Sequence, residues 1–341
     1  MLNSKQKVAL FYGFYRLAQT PHMTLSTADR KKKEHKLTQL KYMLYHYTSI
    51  QALEGILRGC PSEKGLCFWA SRYDCFGDKE EYKIGIETFK ALLPKVENKL
   101  QSDRRVASAF DWDSIKENKM LPMPYVISLT KRCDNDYMWE NYADHGHGVV
   151  LALDETKEVS FESMPHMIML KPCIYKSKVS DEELLKEIET EYFNGAFGML
   201  TGPRKEFAFG LLKDYPQVFV KLIAMYLLGY AAPRIKEKKY YREEEVRIII
   251  PSQRPNSEVL FLLDQFKKTK ILDINIEDML YMVKDEKRRE KRDGEFVYYR
   301  ELYLPSAVLN KVYIKDAEQL SIIENILAHK GFGDREIIMI K

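Results

Sequence analysis

The sequence predicts an α+β protein, and three observations carry that reading. Short apolar runs such as Leu44–Thr48 and Val149–Leu153 have the length and composition of strands, and they are separated by segments with apolar residues at three- and four-residue spacing. Strands and helices alternate without a regular βαβ repeat or a Gly-rich dinucleotide fingerprint, which disfavours a doubly wound sheet. Aromatic content is high at 12%, with 22 Tyr and 16 Phe, which favours β-rich parts.

Residues 1–40 read as a helical or partly ordered lead-in with a basic end. A single α+β domain is expected over 41–330, with a mostly helical insertion at about 181–235 and a C-terminal tail at 331–341. Within the domain, Leu44–Thr48 is a strand. Ser49 is placed to cap a helix whose stripe is Ile50, Leu53, Ile56 and Leu57, and Gly59 can end it. Gly65–Ser71 is an apolar strand, and Arg72–Asp78 is turn-rich. A helix starts at Lys79, with Tyr82, Ile86 and Phe89 at 3–4 spacing. Residues 95–120 read as a charged insertion. Pro124–Ser128 is a strand, Asp136 caps a short helix, Gly146-His147-Gly148 is a turn, and Val149–Leu153 is a buried strand. A further strand is expected at 168–175, and mostly helical structure at 181–229, broken around Gly202-Pro203. Strands follow at Glu244–Ile250 and Val308–Ile314, and a helix at Asp316–His329.

A formal charge of +4 over 341 residues does not mark an obligate nucleic-acid binder. Basic residues still cluster at Arg30–Lys36 and Lys284–Arg292. Asp285, Glu286 and Glu290 interrupt the second cluster, so a solvated helix face is expected there rather than a phosphate site. The five Cys (60, 67, 75, 133 and 173) are odd in number and lack CxxC spacing, which argues against a disulfide framework or a structural zinc site. There is no cleavage-site pattern and no run of 18 apolar residues, so a cytoplasmic protein without a membrane partner is expected.

Three separated segments concentrate chemistry. In Tyr45-His46-Tyr47-Thr48, strand alternation puts His46 and Thr48 on one face, where His46 can donate to a ligand oxygen or be tied to backbone. In Glu243-Glu244-Glu245-Val246-Arg247, period-two spacing would put Glu243, Glu245 and Arg247 on one face, with the arginine holding a carboxylate. A charged edge strand or a surface helix are the alternatives. In Met138-Trp139-Glu140-Asn141-Tyr142-Ala143-Asp144, the helical spacing of Met138, Trp139 and Tyr142 is that of core packing, and Trp139 can also wall a pocket. Asp144, His145 and His147 match no common metal signature, so no metal is expected.

On these three segments the chain resembles the bacterial and phage family named domain of unknown function 2971, over roughly residues 42–330. Tyr45-His46-Tyr47-Thr48, followed by a helix and the strand Gly65–Ser71, also resembles the start of the ADP-ribosyltransferase fold. That second resemblance implies a split, strongly curved mixed or antiparallel sheet and NAD as substrate. His46 and Thr48 would hold NAD, and Tyr82 or Tyr73 would stack on nicotinamide. Glu245 would be catalytic, assisted by Glu243. The Met138–Tyr142 segment has no clear counterpart in that superfamily, and Trp139, Tyr142, Asp144 and Arg247 are expected to be structural or to support the site. It implies transfer of ADP-ribose to an unknown acceptor, protein or nucleic acid, in bacterial or phage conflict. A nucleic-acid-processing enzyme and a non-enzymatic binding or regulatory module are the alternatives, and the module reading expects His46 and Glu245 not to share a cleft.

Overall fold

Alternating apolar runs pair across distant parts of the chain to give one large mixed sheet flanked by helices. The computed structural model describes residues 43–59, 65–76, 78–101, 105–109, 123–154, 169–176, 180–196, 227–250, 285–291 and 294–340. The expected lead-in, the Arg30–Lys36 cluster and the Gly202-Pro203 break lie outside them.

In chain order the elements are β1 (Leu44–Thr48), α1 (Ile50–Ile56), β2 (Gly65–Arg72), α2 (Lys79–Lys99), β3 (Tyr125–Thr130), α3 (Asp136–Tyr142), β4 (Val149–Leu153), β5 (Met169–Pro172), β6 (Ile174–Lys176), α4 (Asp181–Ala196), β7 (Ile235–Glu237), β8 (Glu245–Ile250), β9 (Lys287–Glu290), β10 (Phe296–Pro305), β11 (Leu309–Ile314), α5 (Leu320–Lys330) and β12 (Glu336–Met339). Ser49 caps α1 by accepting from the Ala52 amide, as its position predicts. Asp78 caps α2 by accepting from Glu80. The cap of α3 is Asn135 rather than Asp136, because its side chain accepts from the Met138 amide.

Among the described residues the sheet runs β12-β11-β4-β1-β3-β2-β10-β9, with β8 on the other edge of β3 and β5 beyond it. β6 and β7 form a separate parallel pair. The α+β class is therefore correct. The expected split, strongly curved core of that superfamily is corrected: the sheet order ends at two different strands, and the sheet is neither closed nor strongly curved. Additional strands extend it on both sides, β12 parallel to β11 and β9 antiparallel to β10. The Lys284–Arg292 cluster is also corrected, since Lys287–Glu290 is an exposed edge strand and not a helix face.

One face of this sheet carries the main apolar core. Leu44, Phe68, Ile127, Leu129, Leu151, Val246, Ile248 and Leu302 pack there against Leu53 and Ile56 of α1 and Ile323 and Leu327 of α5. The other face of β1 and β4 presents Tyr47 and Val150 to Met138 and Trp139 of α3. The turn that leads from α3 into β4 is tight. Asp144 and His145 adopt positive φ (49° and 54°) and Gly146 follows at 91°. The Gly148 amide donates to the Ala143 carbonyl at 2.7 Å. A Cβ on Gly148 would meet the Thr48 carbonyl oxygen at 2.3 Å, so only glycine lets β4 close on β1 here.

Gly148→Ala is expected to lower stability by about 2 kcal/mol or more, because the obstructing atoms are backbone and cannot swing away. A shift of the urea midpoint at unchanged slope measures this, and an unshifted midpoint would contradict the account.

Candidate functional site

The charged segment before β8 folds into a buried ionic network. Cross-strand register fixes its side of the sheet: Tyr45 pairs with Thr130, and Thr130 pairs with Glu245. Directly paired residues project to the same face. Glu245 and Arg247 therefore point away from the Leu129–Val246–Ile248 core, toward α2 and β7. Glu243 is not in the strand. It ends a 3-10 turn, and Glu244 follows in the left-handed region at φ 46°. The reversal at Glu244, rather than strand alternation, brings Glu243 beside Glu245.

Arg247 is the centre. Its Nε and Nη2 donate to the two Glu245 carboxylate oxygens at 2.8 and 3.0 Å, a bidentate pair. Nη2 also donates to Glu81 of α2 at 2.5 Å, and Nη1 to the Pro233 carbonyl. Its guanidinium lies 5.8 Å from the Tyr73 ring centroid and 5.3 Å from that of Phe76. Lys236, on β7, donates to Glu243 at 2.5 Å and Glu245 at 2.7 Å, and lies 3.5 Å from Glu81. Around this core, the Glu245 amide donates to the Tyr175 hydroxyl at 2.8 Å. Tyr142 of α3 donates its hydroxyl to Glu243 at 2.7 Å while the residue stays 44% exposed.

Burial and charge oppose one another in this network. Burial alone would raise the Glu245 carboxyl, but Arg247 and then Lys236 outweigh it and hold it well below the usual carboxylate range. Burial, with the neighbouring Glu245 charge, pushes Glu243 up against the pull of Lys236. The Cys173 thiol, 3.5 Å from Glu245, is raised first by burial, so it is a thiol and not a thiolate nucleophile at neutral pH. Tyr73 is buried, donates to the Glu81 carbonyl at 3.1 Å, and is also raised by burial.

His46 lies elsewhere. Its partner across the sheet is Leu151, and Thr48 pairs with Val149, so both face the main core side. The His46 ring meets Phe68 edge-on at 5.1 Å, and Nδ1 donates to the Ser128 carbonyl at 3.1 Å. That contact fills the gap where β1 and β2 take opposite ends of one β3 edge. Burial lowers the His46 pKa, which keeps the ring neutral. Trp139 is a core residue whose Nε1 donates to the Cys133 carbonyl at 2.8 Å. Asp144 sits on the strained turn, exposed. The Tyr82 side chain lies outside the described residues.

The structure thus brings Glu243, Glu245, Arg247, Tyr142 and Tyr73 together and leaves His46, Thr48, Trp139 and Asp144 apart from them. Sequence reasoning missed Glu81 and Lys236. Lys236 follows the apolar Pro233 region in a three-residue strand, and Glu81 looks like an ordinary acidic first-turn residue. Among the described residues no group of three or more His, Cys, Asp and Glu could hold a metal ion, and no helix is long and apolar enough to cross a membrane.

A family model described as a protein of unknown function (DUF2971) matches residues 138–248, roughly a third of the 341 residues. No curated protein and no solved structure matches the chain. The matched segment opens in α3 and closes in β8, so the Tyr142–Glu243 hydrogen bond joins its two ends. The broader likeness to ADP-ribosyltransferases, and with it the NAD-dependent transferase activity and its conflict role, is corrected: the sheet lacks the strong curvature, and His46 and Glu245 lie on opposite faces.

Glu245→Gln is expected to cost about 3 kcal/mol, because Arg247 and Lys236 would be left buried with less compensation. With its folded pKa depressed, Glu245 adds stability that is fully present above its unfolded value of about 4.3 and is lost as pH falls below it. Glu243, being raised, acts in the opposite sense, and its contribution declines as pH rises. Denaturant midpoints between pH 3 and 7 should fall toward acid in the parent and fall less in Glu245→Gln; parallel profiles would refute the assignment.

Proposed function

We propose that this chain is a binding module whose ionic network holds the shape of the site face and is not itself a bond-breaking centre. One observation carries the reading: both Glu245 carboxylate oxygens are occupied by Arg247 and Lys236 in a buried setting, on the face of the sheet opposite His46. A catalytic carboxylate needs reach to a reacting atom, whereas this one is enclosed by its own partners. The neutral His46 ring, tied to the Ser128 carbonyl, has the geometry of a structural histidine closing a gap between strands. The matched family's description names no activity, so the reading stands on geometry.

A double-mutant cycle tests it. His46→Ala and Glu245→Gln should each lower folding stability, and their costs should add to within about 0.5 kcal/mol, as for sites without shared partners. A coupling of about 1 kcal/mol or more would place both residues in one site and sink the module reading.

A further inference from the structure

The corner of the sheet made by β2, β10 and β9 carries a second concentration of chemistry that the ionic network does not use. Its large apolar rings are exposed, Trp69 at 39% and Phe296 at 45%, and every residue of β9 is exposed. Register sorts the side chains by face. Trp69 pairs with Glu301, and Tyr299 pairs with both Ser71 and Lys287. Arg289 pairs with Val297, two residues from Tyr299, so it shares their face. Phe296, Arg288, Glu290 and Glu286 alternate to the other side.

On the Trp69 face the rings and cations interleave. Trp69 stacks on Tyr299 with centroids 4.5 Å apart and planes at 29°. The guanidinium groups of Arg289 and Arg58 lie 5.3 and 5.6 Å from the Trp69 ring centroid. The carboxylate on this face, Glu301, is buried beneath, where Arg58, Lys287 at 2.8 Å and the Tyr303 hydroxyl at 2.9 Å engage it. Burial would raise Glu301, and Lys287 and Tyr303 hold it low instead. Among the described residues on this face, Arg58, Lys287 and Arg289 outnumber the sunken Glu301; Lys291 and Glu295 at the hairpin end pair with each other at 3.2 Å, and Glu286 and Glu290 fall on the opposite face. Among the described residues, the outward charge beside the stacked rings is positive.

We propose that this face binds single-stranded nucleic acid. Bases would stack on the exposed Trp69 ring and on the guanidinium planes held against it, while Arg289, Lys287 and Arg58 would meet the phosphates. Stacking on Trp69 fixes the arginines before binding, which limits the ordering cost. Aromatic residues on neighbouring strands, Trp69 on β2 and Tyr299 on β10, suit splayed bases rather than a closed duplex. This inference rests on the module reading and names its ligand.

The test uses the full chain with fluorescein-labelled dT12 and its RNA counterpart, followed by anisotropy at 50–300 mM salt, with a 12-base-pair duplex beside them. Binding of the single strands should weaken steeply with salt, exceed binding of the duplex, and fall about fivefold or more in Trp69→Ala and in Arg289→Gln. Arg289→Gln lies on an exposed strand and keeps the fold testable if Trp69→Ala does not. No binding at 50 mM salt, binding indifferent to both substitutions, or a preference for the duplex would each overturn the proposal; no binding would point to a protein partner for the same face. The same oligonucleotides are then run on a denaturing gel. Intact probe agrees with a module, whereas cleavage or modification that Glu245→Gln abolishes would refute the module reading even if binding holds.

Discussion

The position of the Arg247 guanidinium is the constraint on which the rest depends. It ties β8 to α2 through Glu81, to the chain before β7 through Pro233, and to its own strand through Glu245, with Tyr73 and Phe76 against it. Buried ion pairs of this kind are weak evidence of net stabilisation, since desolvation offsets much of the attraction. Their effect here is specificity. A one-residue slip of β8 against β3 would turn Arg247 and Glu245 into the apolar core and push Val246 and Ile248 among the charges. The network therefore admits a single register.

Much of this was legible where local rules suffice. Ser49 caps α1, Val149–Leu153 forms a fully buried strand, and Val246 to Ile250 declares β8 by its apolar run. The charged run that leads into β8 does supply three members of the buried network, Glu243, Glu245 and Arg247. The grouping failed where faces had to be compared between strands: alternation within β1 says where His46 points relative to Tyr45, and nothing in it says which of these shares a side with Glu245. That depends on Thr130, the residue that pairs with both strands. Lys236 and Glu81 were invisible for the same reason. Each looks like a surface residue locally and is buried only because distant carboxyls and cations meet it.

The middle segment shows how one stretch serves several ends at once. Met138 and Trp139 fill the layer under Tyr47, as helical spacing implies. Tyr142, four residues into the same helix from Met138, turns outward and reaches Glu243. Gly148 then lets β4 lie against β1. Core packing, a polar tether and a steric allowance are thus encoded within eleven residues, and none of the three requires a reaction.

The strand order also says what kind of object the matched segment is. Within residues 138–248, β4 lies between β1 and β11, and β8 leans on β3; all three partners come from outside those limits. Cut free, the segment would present β4 with both edges bare. Among the described residues, the matched segment takes the sheet partners of β4, and the β3 partner of β8, from outside its own limits. β1 and β11, about 260 residues apart in the chain, flank β4, so β4 cannot gain both partners on the ribosome until synthesis has passed Ile314.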